Sequence, residues 1–459
     1  MSDDLTRALT LLDHKRPWYD EYRDYYNGIQ PIMFATRRFL AFYEQVMRRY
    51  RLNICRPVVK QVSRRLSIDA WEATGDSNSV TEWWEASGQL VQNRLYRESV
   101  RQGDGYLLVW PQGTMQGELK INRLRADEAI VVYREGEPDT PEYGVKKWVI
   151  TNDEGRERTR VNVYHTDRVV RWVSAATQGG GGLSWQPYTE DGVDAELMYD
   201  GSLKEAGQDG ILPIQHFPSN PDDTPYGTSV LEDVVPIQDA LNKHAIDILV
   251  TSEQYGLPLR AALGMEYIPE SYQDDDGNLV TTSNLDNIEY DPRIDHFLAL
   301  PGENSRLIQL PQADTDKLLE VKRAAIQDAA LVSGVPLLLL AEDTGNVPTG
   351  VALREVKAPL AELVEDVQQD QTVPWHNVAR LYGWDAQPVW SAPFQMDEAE
   401  RWELAKVKIE AGYPLRQAFI ETGLSDEFVD RVIAEAESVE RDVGRRLLAA
   451  ERAGEGLTL

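Results

Sequence analysis

The sequence predicts an α+β fold, and two features of its patterning say so. The apolar period is helical over roughly the first hundred residues, switches to two between about 103 and 175, and returns to helical after Gly227. A second, short strand-and-turn stretch at 257–304 then lies between two long helical segments, an arrangement unusual for a metabolic enzyme. At 459 residues the chain is long for one core, so two or three folding units are expected.

Taken in order, residues 1–100 read mainly as helix. Pro57 sits at an early position of the helix that follows Arg56, where its missing N–H costs least. Trp83, Trp84, Leu90, Leu95 and Tyr96 carry apolar spacing onward. Tyr106–Trp110 reads as a buried strand, and Val145–Ile150, Val161–His165 and Val169–Val173 are β-branched and aromatic runs. Asn152-Asp153-Glu154-Gly155 separates two of them as a hairpin loop, and Gly179–Gly182 is a loop.

After Gly227, Thr228 or Ser229 can cap a helix that Pro236 kinks or restarts and Gly256-Leu257-Pro258 ends. A second helix covers about 313–333 and stops at Ser333-Gly334-Val335-Pro336. Each spans ~30 Å at ~1.5 Å per residue. Residues 342–349 form a polar loop in which Thr349 can cap a long helix, bent at Pro359. A Trp- and Pro-rich bridge at 383–394 leads to helix Glu398–Ala411 and to a last amphipathic helix capped by Ser425.

Composition narrows the function. The chain has 47 Lys and Arg against 76 Asp and Glu, a net charge of −29. Proteins that grip nucleic acid tightly are usually basic, because cations displace counterions from phosphate. This balance fits either plain solubility or a surface along which a polyanion slides without sticking. Residues 31–68 run against the trend with nine cations, Arg37 to Arg65, and one acid, Glu44; they suit a face paired with a neighbouring subunit or a DNA contact. Forty-two per cent apolar residues suffice for a sizeable interior, but no run approaches the ~18–20 needed to span a membrane. The N-terminus lacks the basic and apolar regions of a signal peptide, and a single cysteine, Cys55, allows no internal disulfide; a chain made in the cytosol is expected.

Catalytic signatures fail one by one. No GxxxxGK[ST] and no HExxH occurs. Gly103-Asp104-Gly105 could open a dinucleotide fingerprint, but Leu108 stands where its third glycine belongs. Gly227-Thr228-Ser229-Val230-Leu231 lacks the closing glycine of a nucleophile elbow. Around Asp276-Gly277, Tyr272 and Ser283 fall on the first and last ligand positions of a calcium loop. No cofactor, metal or catalytic residue is expected.

Two stretches nevertheless resemble the portal proteins of long-tailed phages, the broad group of Bacillus-phage-type portals. One runs Pro225-Tyr226-Gly227-Thr228-Ser229 through Pro236-Ile237-Gln238-Asp239-Ala240-Leu241-Asn242-Lys243 to Gly256-Leu257-Pro258-Leu259-Arg260. The other joins Ser333-Gly334-Val335-Pro336 to Gly345-Asn346-Val347-Pro348-Thr349-Gly350-Val351-Ala352-Leu353, with Pro348-Thr349 in place of the common Ser-Ser. Gly103-Asp104-Gly105-Tyr106-Leu107 is similar to the family's glycine-then-strand opening of the wing.

The resemblance implies a specific architecture: a wing at 1–228, stem helices at 229–256 and 305–335, a clip at 257–304, a tunnel-loop region at 336–352, a long helix and bridge at 353–394, and a helical crown at 395–459. It implies a homo-oligomeric ring, usually of twelve subunits, at a capsid vertex of the virion, assembled in the host cytoplasm. Double-stranded DNA enters and leaves through it. The tunnel loop would be Glu342, Asp343, Thr344, Gly345, Asn346, Val347, Pro348 and Thr349, and Lys317, Lys322 and Arg323 are candidate channel-lining cations, or equally members of ordinary ion pairs. Implied partners are the terminase large subunit, head–tail adaptors, the major capsid protein and scaffold. Two other classes fit the composition: an acidic enzyme such as a glycoside hydrolase, and a virion scaffold or adaptor without a DNA path.

Overall fold

A computed structural model describes residues 3–30, 52–75, 77–113, 115–151, 155, 157–174, 184–189, 194–256, 260–265, 270–273, 279–282, 297–301, 306–309, 315–341, 351–394, 398–420, 429–431 and 433. The chain divides into two units, Met1–Pro393 and Phe394–Leu459. Helix and sheet mix throughout the first, as an α+β fold requires.

The first unit begins with α1 (Asp3–Asn27), whose Leu5, Ala8 and Leu12 form one stripe at helical spacing. The stripe packs on a six-stranded sheet, β4 (Ala129–Arg134), β5 (Glu137–Thr151), β6 (Glu157–Tyr164), β7 (Arg168–Ser174) and β8 (Trp185–Pro187) in sequence order, with β9 (Glu196–Met198) also paired to β7. Ile130, Val132, Val145, Val161 and Val163 meet it from the sheet. Three of the four runs read as strands, Val145–Ile150, Val161–His165 and Val169–Val173, lie here, and Thr151 pairs with Glu157 across the expected hairpin.

Helix α2 (Cys55–Ser63) follows an N-terminal Ile54 and buries Cys55, Val58, Val59 and Val62. Next come β1 (Ile68–Ala73), α3 (Ser77–Trp83) and α4 (Gln89–Gln102). A π turn, Trp84–Gly88, joins α3 to α4. A Cβ on Gly88 would lie 2.1 Å from the Trp84 ring, so glycine lets the indole fold back over the turn. The extra residue of that turn resets the helical phase, and Leu90, expected on the apolar stripe, is 73% exposed. A three-stranded sheet, β10 (Ile214–Pro218), β2 (Asp104–Pro111) and β3 (Leu119–Leu124), lies beyond α4, and α5 (Gly201–Gln208) precedes β10.

Two strands run against the sequence reading. β1 lies in a stretch read as mainly helical, and β16 (Ala386–Trp390) in the Trp- and Pro-rich bridge; they pair antiparallel with Ile68 opposite Trp390. Each is too short to announce itself, and 313 residues separate their nearer ends' partners Ala73 and Ala386 in the chain. Beside them, Trp375 of α9 (Val351–Leu381) meets Trp71, Trp84, Tyr96 and Phe217 at centroid distances of 6.3, 5.2, 6.4 and 5.1 Å, mostly edge to face. Helix α9 continues through Pro359 and Pro374.

Helix α6 (Val234–Gly256) packs on α7 (Thr315–Ser333), which the single turn α8 (Leu337–Leu340) follows. Between them, β11 (Arg260–Met265) pairs in parallel with β14 (Phe297–Pro301) and antiparallel with β15 (Arg306–Gln309), while β12 (Glu270–Gln273) and β13 (Leu279–Thr282) pair with each other. The helices are shorter than the segments 229–256 and 305–335. Residues 230–233 form turns, Pro236 falls in the first turn of α6, and β15 occupies 306–309. Among the described residues no helix is long and apolar enough to cross a membrane.

In the second unit, α10 (Glu398–Glu410) and α11 (Leu415–Ile420) enclose Ala405, Phe419 and Val429, with Trp402 edge-on to Phe419 at 5.3 Å. The expected caps Thr349 and Ser425 lie outside the described residues.

Candidate functional site

Two of the three motif stretches, those of Gly103 and Gly227, meet at a backbone crossing. Gly103 ends α4 with φ +84°, a conformation open to glycine and strained for other residues. Its carbonyl accepts the Ser219 N–H at 2.8 Å, and the Ser219 carbonyl accepts the Thr228 N–H at 2.9 Å. A Cβ on Gly103 would sit 2.4 Å from the Gly227 oxygen; one on Gly227 would sit 2.1 Å from the Gly103 oxygen and 2.5 Å from the Ser219 nitrogen. The Gly227-Thr228-Ser229 segment is thus fixed where it crosses the end of α4.

Asp104, the first residue of β2, is fully buried at this crossing. Its Oδ2 accepts from Lys15 Nζ at 2.6 Å and the Tyr19 hydroxyl at 2.5 Å; its Oδ1 accepts from the Gly227 N–H at 2.9 Å and meets His216 Nε2 at 2.8 Å. Burial pushes this carboxyl up, but Lys15 and the His216 hydrogen bond outweigh it and hold the group well below the usual carboxylate range. Burial pushes His216 down despite Asp104, so the ring is neutral at pH 7. Its partners then assign the proton: Nε2–H donates to Asp104, and Nδ1 accepts from the Tyr133 hydroxyl at 2.8 Å. Tyr106 stacks on His216 at 4.8 Å, and Lys15 Nζ lies 3.9 Å from the Tyr226 ring centroid.

A cavity of about 230 Å³ opens beside this network, lined in part by His14, Trp18, Tyr22 and Glu232. Four donors occupy the two Asp104 oxygens, which makes the carboxylate an anchor and leaves little capacity for a substrate. Among the described residues, no group of three His, Cys, Asp or Glu could hold a metal ion.

The remaining motif residues extend the fastening along α6. The Ser229 hydroxyl donates to the Arg101 carbonyl at 2.6 Å and accepts from the Leu231 N–H at 3.0 Å, capping the turn that leads into α6. Gln238, fully buried, accepts the Ile54 N–H at 2.8 Å and donates to the Leu52 carbonyl at 2.5 Å. Asp239 accepts the Tyr25 hydroxyl at 2.8 Å. At the end of α7, the Ser333 hydroxyl donates to the Ala329 carbonyl at 2.6 Å, and Gly334 takes φ +65° as the left-handed stop the sequence predicts. Cys55 is buried below Gln238, and burial pushes its thiol up to about 12, so it is inert.

Of the residues singled out from sequence, Glu342 to Thr349 lie outside the described residues. Lys317, Lys322 and Arg323 all lie on α7. At about 100° per residue, Lys322 and Arg323 point about 140° and 240° round the helix from Lys317, so the three do not share one face. Lys317 and Arg323 are exposed; Lys322 is half-buried, beside the inward stripe of Ala325, Ala329 and Ser333. Sequence reasoning passed over Lys15, Tyr19 and His216. Their only trace was Gly103-Asp104-Gly105, set aside as a failed nucleotide fingerprint.

The motif residues, then, fasten a long helix to a sheet-and-helix base, which is the work of a structural subunit. The chain belongs to a known family of such subunits, described as phage portal protein, SPP1 Gp6-like, which matches residues 9–382. Portal proteins are head–tail connectors of phage particles, and that is the function of this chain. Among curated proteins none matches it. Solved structures that it is similar to include the neck of a native GTA particle computed with C12 symmetry, at 16% identity and TM-score 0.45 over 81% of this chain and 90% of that one. The virion of a native gene transfer agent particle gives 16% and 0.43 over the same shares. The neck of an empty GTA particle computed with C6 symmetry gives 14% and 0.43, again over 81% and 90%.

Proposed function

We propose that the chain is one subunit of a closed ring, of twelve copies, that stands at a capsid vertex of the virion and conducts double-stranded DNA inward during packaging and outward at ejection. The observation that carries this is the fastening of α6 through the portal motif: Gly227, Ser229, Gln238 and Asp239 each make a specific backbone or side-chain contact to the base. A helical pair held at its root in this way suits a stem. In this reading α6 and α7 are the stem, 257–304 the clip, 1–228 the wing, 342–349 the tunnel loop and 395–459 the crown. A head-to-tail interface that closes by rotation gives such a ring.

DNA carries about one charge per 1.7 Å of axis. A chain of net charge −29 gives that polyanion weak, nonspecific contact and low friction. Asn346 and Thr349 would donate hydrogen bonds to phosphate. Lys317 and Arg323, about 120° apart on α7 and both exposed, can flank one channel face together, with Lys322 turned toward the packed side. The subunit is not itself an enzyme in this reading: a terminase large subunit bound at the clip supplies the energy, and head–tail adaptors replace it afterwards. The ring assembles in the host cytoplasm with the major capsid protein and scaffold.

Electron microscopy of the purified chain tests the ring: a turbine-shaped particle with a central pore is expected, and a monodisperse monomer would refute it. Deleting 342–348 should leave the ring intact and impair DNA packaging or retention. Normal packaging by that deletion would mean the loop lies elsewhere.

A further inference from the structure

The face of the six-stranded sheet turned from α1 buries Val131, Tyr164 and Val169 at one end and carries a basic patch at the other. Val145, Val161 and Val163 face α1 in the core. Alternation puts Lys146 and Trp148 of β5, Arg160 and Asn162 of β6, and Arg171 of β7 on the other face. The register sets Lys146 opposite Asn162, Asn162 opposite Arg171, and Trp148 opposite Arg160. The three cations thus sit on three adjacent strands.

Aromatic rings hold two of them. The Arg160 guanidinium lies 3.7 Å from the Tyr188 ring centroid and 5.2 Å from that of Trp148, and Lys146 Nζ is 4.9 Å from Trp148. Arg160 Nε, Arg171 Nε and Asn162 Oδ1 are buried and without a hydrogen-bond partner among the described residues. Among the described residues no carboxylate forms an ion pair with any of the three cations, although Glu128 attracts Lys146 from a distance. Burial and the neighbouring Arg160 hold both Lys146 and Arg171 below their ordinary ranges. In a chain with 76 acids to 47 bases, three half-buried cations on one face without an ion-pair partner among the described residues are an imbalance that composition does not explain.

We infer that this basic, aromatic-lined face of the sheet receives carboxylates from a second copy of this chain and forms one half of the interface between neighbouring subunits. The inference rests on the ring reading above and names its contact chemistry. Charge complementarity chooses the occupant: a surface with this excess of acids is the partner that three unpaired cations fit. The Arg160 guanidinium, already over two rings, loses little freedom on taking a carboxylate, and the planar forks of Arg160 and Arg171 match its two oxygens. A head-to-tail ring needs two unlike patches, so the acidic counterpart need not lie on this face.

The test uses the full chain with R160E/R171E, and with R160Q/R171Q in case the reversal fails to fold. Mass photometry across protein and salt concentrations gives the assembly midpoint, and circular dichroism and thermal melting report the fold. Wild-type rings that loosen with salt, a midpoint raised ~10-fold or more by R160E/R171E and less by R160Q/R171Q, with unchanged melting of the subunit, bear the inference out. Rings that form at the wild-type midpoint in both variants overturn it while leaving the ring reading intact. Rings that form normally but lose retained DNA would assign the face to phosphate instead and overturn it too. A wild-type chain that forms no ring overturns the ring reading and this inference with it.

Discussion

The Asp104 carboxylate accepts the Gly227 N–H at 2.9 Å, tying the first residue of β2 to the segment that leads into α6. One buried charge therefore joins the N-terminal helix, the three-stranded sheet and the segment at the root of α6. Its removal has effects that can be measured.

Asp104→Asn leaves Lys15 without its charged partner and puts an amide N–H₂ against two of the four donors. Breaking a buried pair from one side costs about 3–5 kcal/mol. Urea or thermal unfolding of the full chain should show a loss of that order, and Lys15→Met a smaller one, because Lys15 remains partly in water. Equal stability of D104N and wild type would contradict the anchor role.

The same network sets a pH dependence. Asp104 is held below the usual carboxylate range, so its contribution is complete above about pH 4, the unfolded value, and is lost as pH falls further. His216 is also lowered. Below about pH 6.5 the unfolded chain takes up a proton that the folded chain refuses, and stability falls there too. Unfolding midpoints should drop on acidification below about pH 6.5, more steeply below about pH 4. H216N should remove the first part only.

Gly227→Ala tests the crossing. The added methyl would meet the Gly103 oxygen at 2.1 Å and the Ser219 nitrogen at 2.5 Å, both backbone. A loss of about 4 kcal/mol or more, or failure to accumulate soluble protein, is expected. Thr228→Ala, one residue on, should cost far less, since it is the Thr228 N–H that bonds.

Asp370 on α9 makes the opposite prediction. Burial, with Asp366 nearby, pushes its carboxyl up to about 6 against the hydrogen bond from the Asn220 N–H. A raised acid is favourable below the unfolded value near pH 4 and becomes a liability as pH rises through about 6. Asp370→Asn keeps the acceptor and removes the charge. It should stabilise the chain by about 1 kcal/mol at pH 7, allowing for partial exposure, and the gain should vanish below about pH 4.

Trp375→Ala tests the aromatic core around β1 and β16. The ring is fully buried among Trp71, Trp84, Tyr96 and Phe217, and truncation should cost about 3–5 kcal/mol. Because β1 and β16 pair beside it, hydrogen exchange should speed up in both strands at once.

The sequence by itself determined the α+β class, the strands β2, β5, β6 and β7, the stop at Ser333-Gly334 and the portal motifs, because each is written in local periodicity, turn chemistry or a short spaced pattern. It also set the acidic charge balance. It could not reveal the β1–β16 pairing, since neither six- nor five-residue strand has a local signal and the partners meet only across most of the chain. Nor could it show why Gly227 must be glycine or what Asp104 binds. Those answers depend on Lys15, Tyr19, His216 and Ser219 arriving from distant segments at one buried point. Only tertiary packing brings them there, and only burial makes their charges and hydrogen bonds strong enough to fix the root of α6.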